Sequence, residues 1–311
     1  MQKGEIMNNF VRKVLKNIKN GTFFDKIKLK SNNIINCYFI KNNIVKNKQE
    51  QFQTYQKLKK KYYSVIENQT INEKSEKSNK VWIFWLQGIE TAPPIIQSCI
   101  RSIKKNISDR EIILLNIDNY KEYIKFPQYI EEKFKEGKIS YTHFSDLLRI
   151  ELLTQYGGLW MDATVLCTDQ IPDYVFNSNL FVYKNIGLDR SDEDVIAASS
   201  WMIYAWSHNK IIETTRNLLY EYWKKEENIS NYFLVHLFFK MATEQYAEEW
   251  NNVPTFNNVA PHILQFELLD KYDEKRFQQI KEMSAIHKLN RRFENKDKQR
   301  ITNLDYIIKN Y

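Results

Sequence analysis

Residues Tyr156-Gly157-Gly158-Leu159-Trp160-Met161-Asp162-Ala163-Thr164 constrain the fold of this chain more than any other stretch. Only seven glycines occur in the chain, and two of them stand side by side here. Glycine enters the left-handed backbone region without a side-chain clash, so the pair permits a sharp turn at the end of a helix. Leu159 to Ala163 then read as a short buried strand that delivers one carboxylate, Asp162, at its end. Open α/β sheets bind ligands at the carboxyl ends of their strands. The segment therefore reads as a scaffold that presents an acid to a site.

A chain of 311 residues, 43% of them hydrophobic, can bury one large core or a core with a smaller domain. Cys37, Cys99 and Cys167 are far apart and form no pair motif. They point to a reducing compartment and away from a disulfide framework or a structural zinc site. No apolar run approaches the roughly 18 residues of a membrane span, and no signal peptide is evident. The expected location is cytoplasmic, with peripheral attachment to the inner face of the membrane left open by the charge pattern.

The net charge of +8 divides unevenly. Residues 1–80 carry 18 Lys and Arg against 6 Asp and Glu, and the remaining residues carry 28 against 32. All the basic excess belongs to the N-terminal segment. Phe10, Val11, Val14, Leu15 and Ile18 share a helical face there, beside Arg12, Lys13, Lys16 and Lys19. Two readings of that basic amphipathic helix stand: it lies on an anionic membrane surface, or it docks its apolar stripe on the main domain. No RNA-binding motif accompanies the charge, so nucleic acid is not an expected partner. Residues 41–62 read as a second exposed helix and 67–80 as a polar linker. This places a basic helical segment at 1–80 and the main domain at 81–311.

Beyond Lys80 the pattern changes. Val81-Trp82-Ile83-Phe84-Trp85-Leu86 is a buried strand, and Gln87-Gly88 turns the chain. Pro93 and Pro94 open a helix that runs through Cys99 to Lys105. Glu111–Asn116 is a second strand, followed by helical stretches around 118–137. This alternation predicts an α/β domain with a largely parallel sheet flanked by helices. No P-loop, dinucleotide fingerprint, His-Glu-x-x-His or Cys-x-x-Cys is present, which leaves ATPase, dehydrogenase and zinc-hydrolase readings without a motif.

The helix from Ser140 to Tyr156 leads into the glycine pair. Asp146 and Arg149 are three residues apart and share a face. By themselves they make an ordinary helical ion pair. Their position directly before the glycine turn lets one corner of the fold collect Asp146, Arg149 and Asp162.

The stretch Ser145-Asp-Leu-Leu-Arg-Ile-Glu-Leu-Leu-Thr-Gln-Tyr-Gly-Gly-Leu-Trp-Met-Asp-Ala-Thr164 resembles the signature of capsular polysaccharide synthesis proteins, which group with family 32-like glycosyltransferases. Val81–Gly88 resembles the first strand of the same group. The resemblance covers roughly residues 80–290. It implies a GT-A, Rossmann-like fold, a nucleotide-diphosphate sugar donor, a saccharide or lipid-linked saccharide acceptor, and a divalent cation, Mn²⁺ or Mg²⁺. A nucleotide-sugar hydrolase or a non-catalytic nucleotide-sugar-binding module are the alternatives on the same fold.

Position by position, the resemblance implies that Trp85 stacks on the nucleotide base and that Asp146 and Arg149 hydrogen-bond the donor sugar. Gly158 joins the donor-binding set. Asp162 matches the first acid of the family's Asp-x-Asp motif, and with Asp146 and Arg149 it forms the expected catalytic group. Thr164 stands where that motif has its second acid, and a hydroxyl is a poorer ligand for a hard cation than a carboxylate. The implied metal set is Asp162, Thr164 and a distant His287, with Lys288 on the diphosphate. The acceptor side is expected around residues 195–236, with Trp201 and Asn231 as contacts. Asn231 replaces an acid of the family and cannot act as a base. The related families retain anomeric configuration, which implies retention here.

Overall fold

The computed structural model describes residues 47–72, 74–185, 194–293 and 300–311. It divides into two compact units, Met1–Gln53 and Thr54–Tyr311. Of the smaller unit, residues 47–53 are described and are helical. The basic amphipathic stretch around residues 10–19 lies outside the described residues. Among the described residues, no helix is long and apolar enough to cross a membrane.

The larger unit begins at Thr54, not near Lys80 as the polar composition of 67–80 suggested. Residues 54–68 form its first helix (α1), which buries Tyr55, Leu58, Tyr62 and Ile66 at helical spacing. The Tyr62 ring meets Phe238 edge-on at 5.7 Å, and its hydroxyl donates to Glu226 at 2.7 Å. The polar stretch that follows is tied down too. Gln69 donates to Thr214 at 2.9 Å and the Ser75 hydroxyl donates to the Ser207 carbonyl at 2.7 Å.

The central sheet holds β1 (Lys80–Phe84), β2 (Glu111–Leu115), β3 (Gly158–Met161), β5 (Leu180–Lys184) and β6 (Ala198–Ala205) in the order β2-β1-β3-β6-β5. β1 is parallel to both β2 and β3, and β6 is antiparallel to both β3 and β5. Four of the five strands thus run one way, as the strand–helix rhythm predicts. A small second sheet pairs β4 (Val165–Cys167) with β7 (Ile286–Lys288) in antiparallel register.

Strand alternation assigns the two faces. Val81, Ile83, Leu159 and Met161 join the core cluster of α2 (Pro94–Asn106), where Ile96, Cys99 and Ile103 are fully buried. On the opposite face Trp82 packs on Tyr123 and Tyr156, and Phe84 on Phe144. Phe144 belongs to α4 (Tyr141–Tyr156), which follows the shorter α3 (Gln128–Lys135). Residues on nearly every side of α4 are buried, including the charged Asp146, Arg149 and Glu151. It is an interior helix, with charged as well as apolar side chains enclosed.

Remaining helices are α5 (Lys210–Lys225), α6 (Leu234–Gln245), α7 (Ala247–Asn252), α8 (Ile263–Phe266), α9 (Glu274–Met283) and α10 (Asn303–Asn310). Their starts follow local chemistry. Asn209 caps α5 through Ile211 and Ile212, Asp273 caps α9, and Thr302 with Asp305 forms a capping box on α10.

Candidate functional site

The glycine turn works as its sequence implies, and both glycines are sterically required. Gly157 ends α4 at φ 63°, and a Cβ there would lie 2.5 Å from the Ser207 nitrogen. Gly158 has φ 97°, and a Cβ would lie 2.4 Å from the Lys80 carbonyl oxygen. Gly158 therefore lets β3 approach β1 closely. It stands at the amino end of β3 and is not among the cleft residues, so its role is backbone packing and not donor contact.

Because β1 and β3 are parallel, their carboxyl ends open on the same edge of the sheet. Trp85 follows β1 and Asp162 follows β3, and both line a cleft of about 470 Å³. Asp162 is two residues beyond Trp160 and so faces the side of the sheet covered by α4. Arg149 reaches it from that helix, donating to Asp162 Oδ1 at 3.0 Å and to Asp146 Oδ1 at 2.7 Å. The Trp160 indole N–H donates to the same Asp162 oxygen at 3.0 Å. The Arg149 guanidinium carbon also stands 4.9 Å from the Trp160 ring centre. Asp146, Arg149 and Asp162 form one connected group, and the first two are buried to 8% and 4% exposure. The Asp146–Arg149 pair is therefore no surface ion pair.

The fourth member comes from the far end of the chain. In the β4–β7 pairing Val165 faces Lys288, and Leu289 N–H donates to the Thr164 carbonyl at 2.9 Å. This brings the Lys288 ammonium to Asp162 Oδ2 at 2.9 Å and to the Thr164 hydroxyl. Burial tends to raise the Asp162 pKa, but Lys288 and Arg149 beside it hold the carboxyl below its ordinary value. Burial wins at Asp146, which is raised despite Arg149.

Besides Gly158, three more expected site residues lie elsewhere. His287 and Lys288 are neighbours on one strand, so their side chains point to opposite sides. Lys288 lines the cleft, whereas the His287 ring is fully buried and its Nε2 lies 3.1 Å from the Thr168 hydroxyl. Burial lowers the His287 pKa to about 4, with a smaller push from Lys281. Trp201 is buried, stacked on Tyr183 at 4.9 Å, and its indole N–H donates to Asn258. Asn231 uses its side-chain oxygen to accept from the Phe233 N–H at 2.8 Å, closing a turn before α6. None of the three lines the cleft.

Four further residues do line it. Tyr141 and Tyr232 are 67% and 62% exposed, large rings left open to solvent at the cleft. Tyr232 is held beside α4 through His143, whose ring lies 5.9 Å from it and whose Nε2 is 3.4 Å from the Tyr232 carbonyl. Arg291 and Arg292 follow Lys288 into the cleft wall, and the Arg291 guanidinium carbon stands 5.4 Å from the Trp85 ring centre. The run Lys288-Leu-Asn-Arg-Arg292, three cations in five residues, carries their signal in the sequence.

The donor set does not suit a divalent cation. Hard cations require oxygen ligands, usually one or two carboxylates besides phosphate and water. Among the described residues Asp162 is the sole acid lining the cleft, and both its oxygens are bonded to cationic or N–H donors. Thr164 is turned to Lys288, and His287 faces the interior. Among the described residues no group of three or more His, Cys, Asp or Glu side chains is placed to hold a metal ion. What the cleft does offer is an excess of fixed positive charge beside an aromatic ring.

Comparison with known proteins gives the relatives of this arrangement. A profile of the capsular polysaccharide synthesis protein family matches residues 7–308. An O-glycosyltransferase, braB, of Annulohypoxylon truncatum is 29% identical over 106 residues. That match takes in 31% of this chain and 25% of the fungal protein, so the chain spans about a quarter of that curated relative. Among solved structures, the PaToxG glycosyltransferase shares 15% identity at a TM-score of 0.38, covering 66% of this chain and 83% of that one. The apo-form glycosyltransferase GlyE of Streptococcus pneumoniae TIGR4 shares 15% at 0.39, covering 75% and 59%.

Proposed function

This chain belongs to the capsular polysaccharide synthesis protein family, and from that membership we propose that it is a GT-A-type glycosyltransferase. It moves a sugar from a nucleotide-diphosphate sugar to a saccharide or lipid-linked saccharide acceptor. One observation carries the reading: Trp85, Arg149, Asp162 and Lys288 meet in a single cleft at the carboxyl ends of parallel strands. In this reading Trp85 stacks on the base, the Arg149–Asp162 pair holds the sugar, and Lys288, Arg291 and Arg292 face the diphosphate. Tyr141 and Tyr232 form the acceptor side, since exposed aromatic rings suit the apolar faces of a saccharide.

Breaking the donor bond leaves positive charge on the sugar and negative charge on the departing diphosphate. Fixed cations stabilise that leaving group, the kind of preorganised electrostatics that dominates many enzyme rates. Asp162 is a poor base, because Lys288 and Arg149 favour its ionised, hydrogen-bonded form. We therefore propose retention by front-face attack. The acceptor oxygen bonds to the anomeric carbon on the side from which the phosphate oxygen leaves. Its proton passes to that phosphate oxygen.

The test is to incubate the full chain with a panel of UDP- and GDP-sugars and oligosaccharide acceptors, following nucleoside diphosphate release and the anomeric NMR coupling of the product. The reading expects acceptor-dependent release and a retained anomer. Release at the same rate without any acceptor would make the protein a hydrolase, and an inverted product would end the front-face mechanism.

A further inference from the structure

We propose that Lys288 serves as the fixed cation of the donor site, so that the cleft holds a nucleoside diphosphate without a divalent metal. The inference rests on the donor-site reading above and departs from the metal-assisted site that the family resemblance implies. Its first support is position. The Lys288 ammonium is bonded to both Asp162 and Thr164, the two positions of the Asp-x-Thr segment from which a metal would be held. A metal bound there would have to displace the ammonium or sit beside it, where the two like charges repel.

The second support is the way the contact is built. Lys288 is not a wandering surface side chain. It is 19% exposed, its backbone is paired with Val165 in the β4–β7 ladder, and Leu289 is bonded to the Thr164 carbonyl. An ammonium has three N–H donors. Among the described residues two are used, by Asp162 and Thr164, which leaves one for a phosphate oxygen.

Charge is the third support. Among the described residues Arg149, Lys288, Arg291 and Arg292 line the cleft against one lining carboxylate, Asp162, with Asp146 behind Arg149. A diphosphate meets cations already in place, and a divalent ion would have to enter a site that is positive before it arrives. The substitution of Thr164 for an acid follows the same logic. A second carboxylate would neutralise Lys288, whereas a hydroxyl accepts its hydrogen bond and leaves its charge for the ligand.

Titration calorimetry of the full chain with UDP and with GDP decides it, run once in EDTA and once with MnCl₂ in place of EDTA. The expected result is that the diphosphate that binds does so in EDTA, with a Kd within about threefold of the Mn²⁺ value. Lys288→Met should weaken binding in EDTA by at least about tenfold, and Lys288→Arg should recover part of it. Mn²⁺ alone, followed by the electron paramagnetic signal of the free ion, should show no uptake by the wild-type chain. Binding that needs Mn²⁺, or an unchanged Kd in a folded Lys288→Met chain, overturns this inference and leaves the donor-site reading standing. Failure of both diphosphates with and without Mn²⁺ overturns the donor-site reading and this inference with it.

Discussion

Two charged clusters grow from the same helix, α4, and they end differently. Toward the cleft, Arg149 bridges Asp146 and Asp162, Lys288 pairs with Asp162 as well, and Arg291 and Arg292 add charge that, among the described residues, no acid of the cleft wall balances. Two residues beyond Arg149, Glu151 starts a second cluster with Arg216 and Glu213. There the acids outnumber the guanidinium, and the protein supplies the missing donors itself. Tyr220 donates to Glu151 at 2.7 Å, Gln155 donates to its other oxygen, and His208 lies 3.2 Å from Glu213. Glu151 and Glu213 are each buried, and neither lines the cleft. Burial and ion pairing are common to both clusters. The surplus of cations opening on a cavity marks only the first as a place for an anionic ligand.

The largest test of that contrast is to remove each guanidinium. Arg149→Met leaves Asp146 buried without its partner, which should cost about 3–5 kcal/mol of stability and abolish sugar transfer. Arg216→Met should cost only about 1 kcal/mol, because Glu151 and Glu213 keep other donors, and transfer should persist. Denaturant unfolding of the two variants checks this, and equal losses would erase the distinction.

His287 gives the next effect, through pH. Its folded pKa of about 4 lies below the ordinary 6.5, so the unfolded chain takes up the proton first as pH falls. Its contribution is complete above about pH 6.5 and is lost as pH drops toward 4, at about 1.4 kcal/mol per pKa unit, or about 3 kcal/mol in all. His287→Gln keeps a partner for Thr168 and does not titrate, so the fall in stability from pH 7 to pH 4.5 should become shallower. A cleft residue would instead alter donor binding, which His287→Gln should leave unchanged.

Trp85→Leu should cost about 1–3 kcal/mol of nucleotide affinity, the range for aromatic stacking on a base, with little change in unfolding midpoint. Tyr220→Phe should do the reverse. It removes one donor to Glu151 for about 1–2 kcal/mol of stability and leaves donor affinity untouched. Calorimetry and thermal unfolding on both variants would show whether binding and stability separate as the two clusters do.

Much of the first cluster was legible in the sequence because its parts are local. The i, i+3 spacing of Asp146 and Arg149, the glycine turn and the short strand to Asp162 lie within one continuous run, and strand alternation then fixes which face Asp162 takes. The distant parts were harder to read. His287 and Lys288 are adjacent in sequence, and nothing short of the β4–β7 register says which of them turns to the cleft. Trp201 and Asn231 are residue types that suit a saccharide, but one fills the core against Tyr183 and the other closes a turn. Residues 67–80 read as a linker from their polarity, while the partners of Gln69 and Ser75 within them, Thr214 and Ser207, lie far along the chain.

In the proposed function Asp162, held between Arg149 and Lys288, is the heart of a nucleotide-sugar site. The most direct measurement is the thermal shift of the full chain across a panel of UDP- and GDP-sugars, repeated on Asp162→Asn. At least one nucleotide sugar should raise the melting temperature of the wild-type chain, and the same sugar should raise that of Asp162→Asn little or not at all. A panel without any shift, or an equal shift in the two proteins, would contradict it.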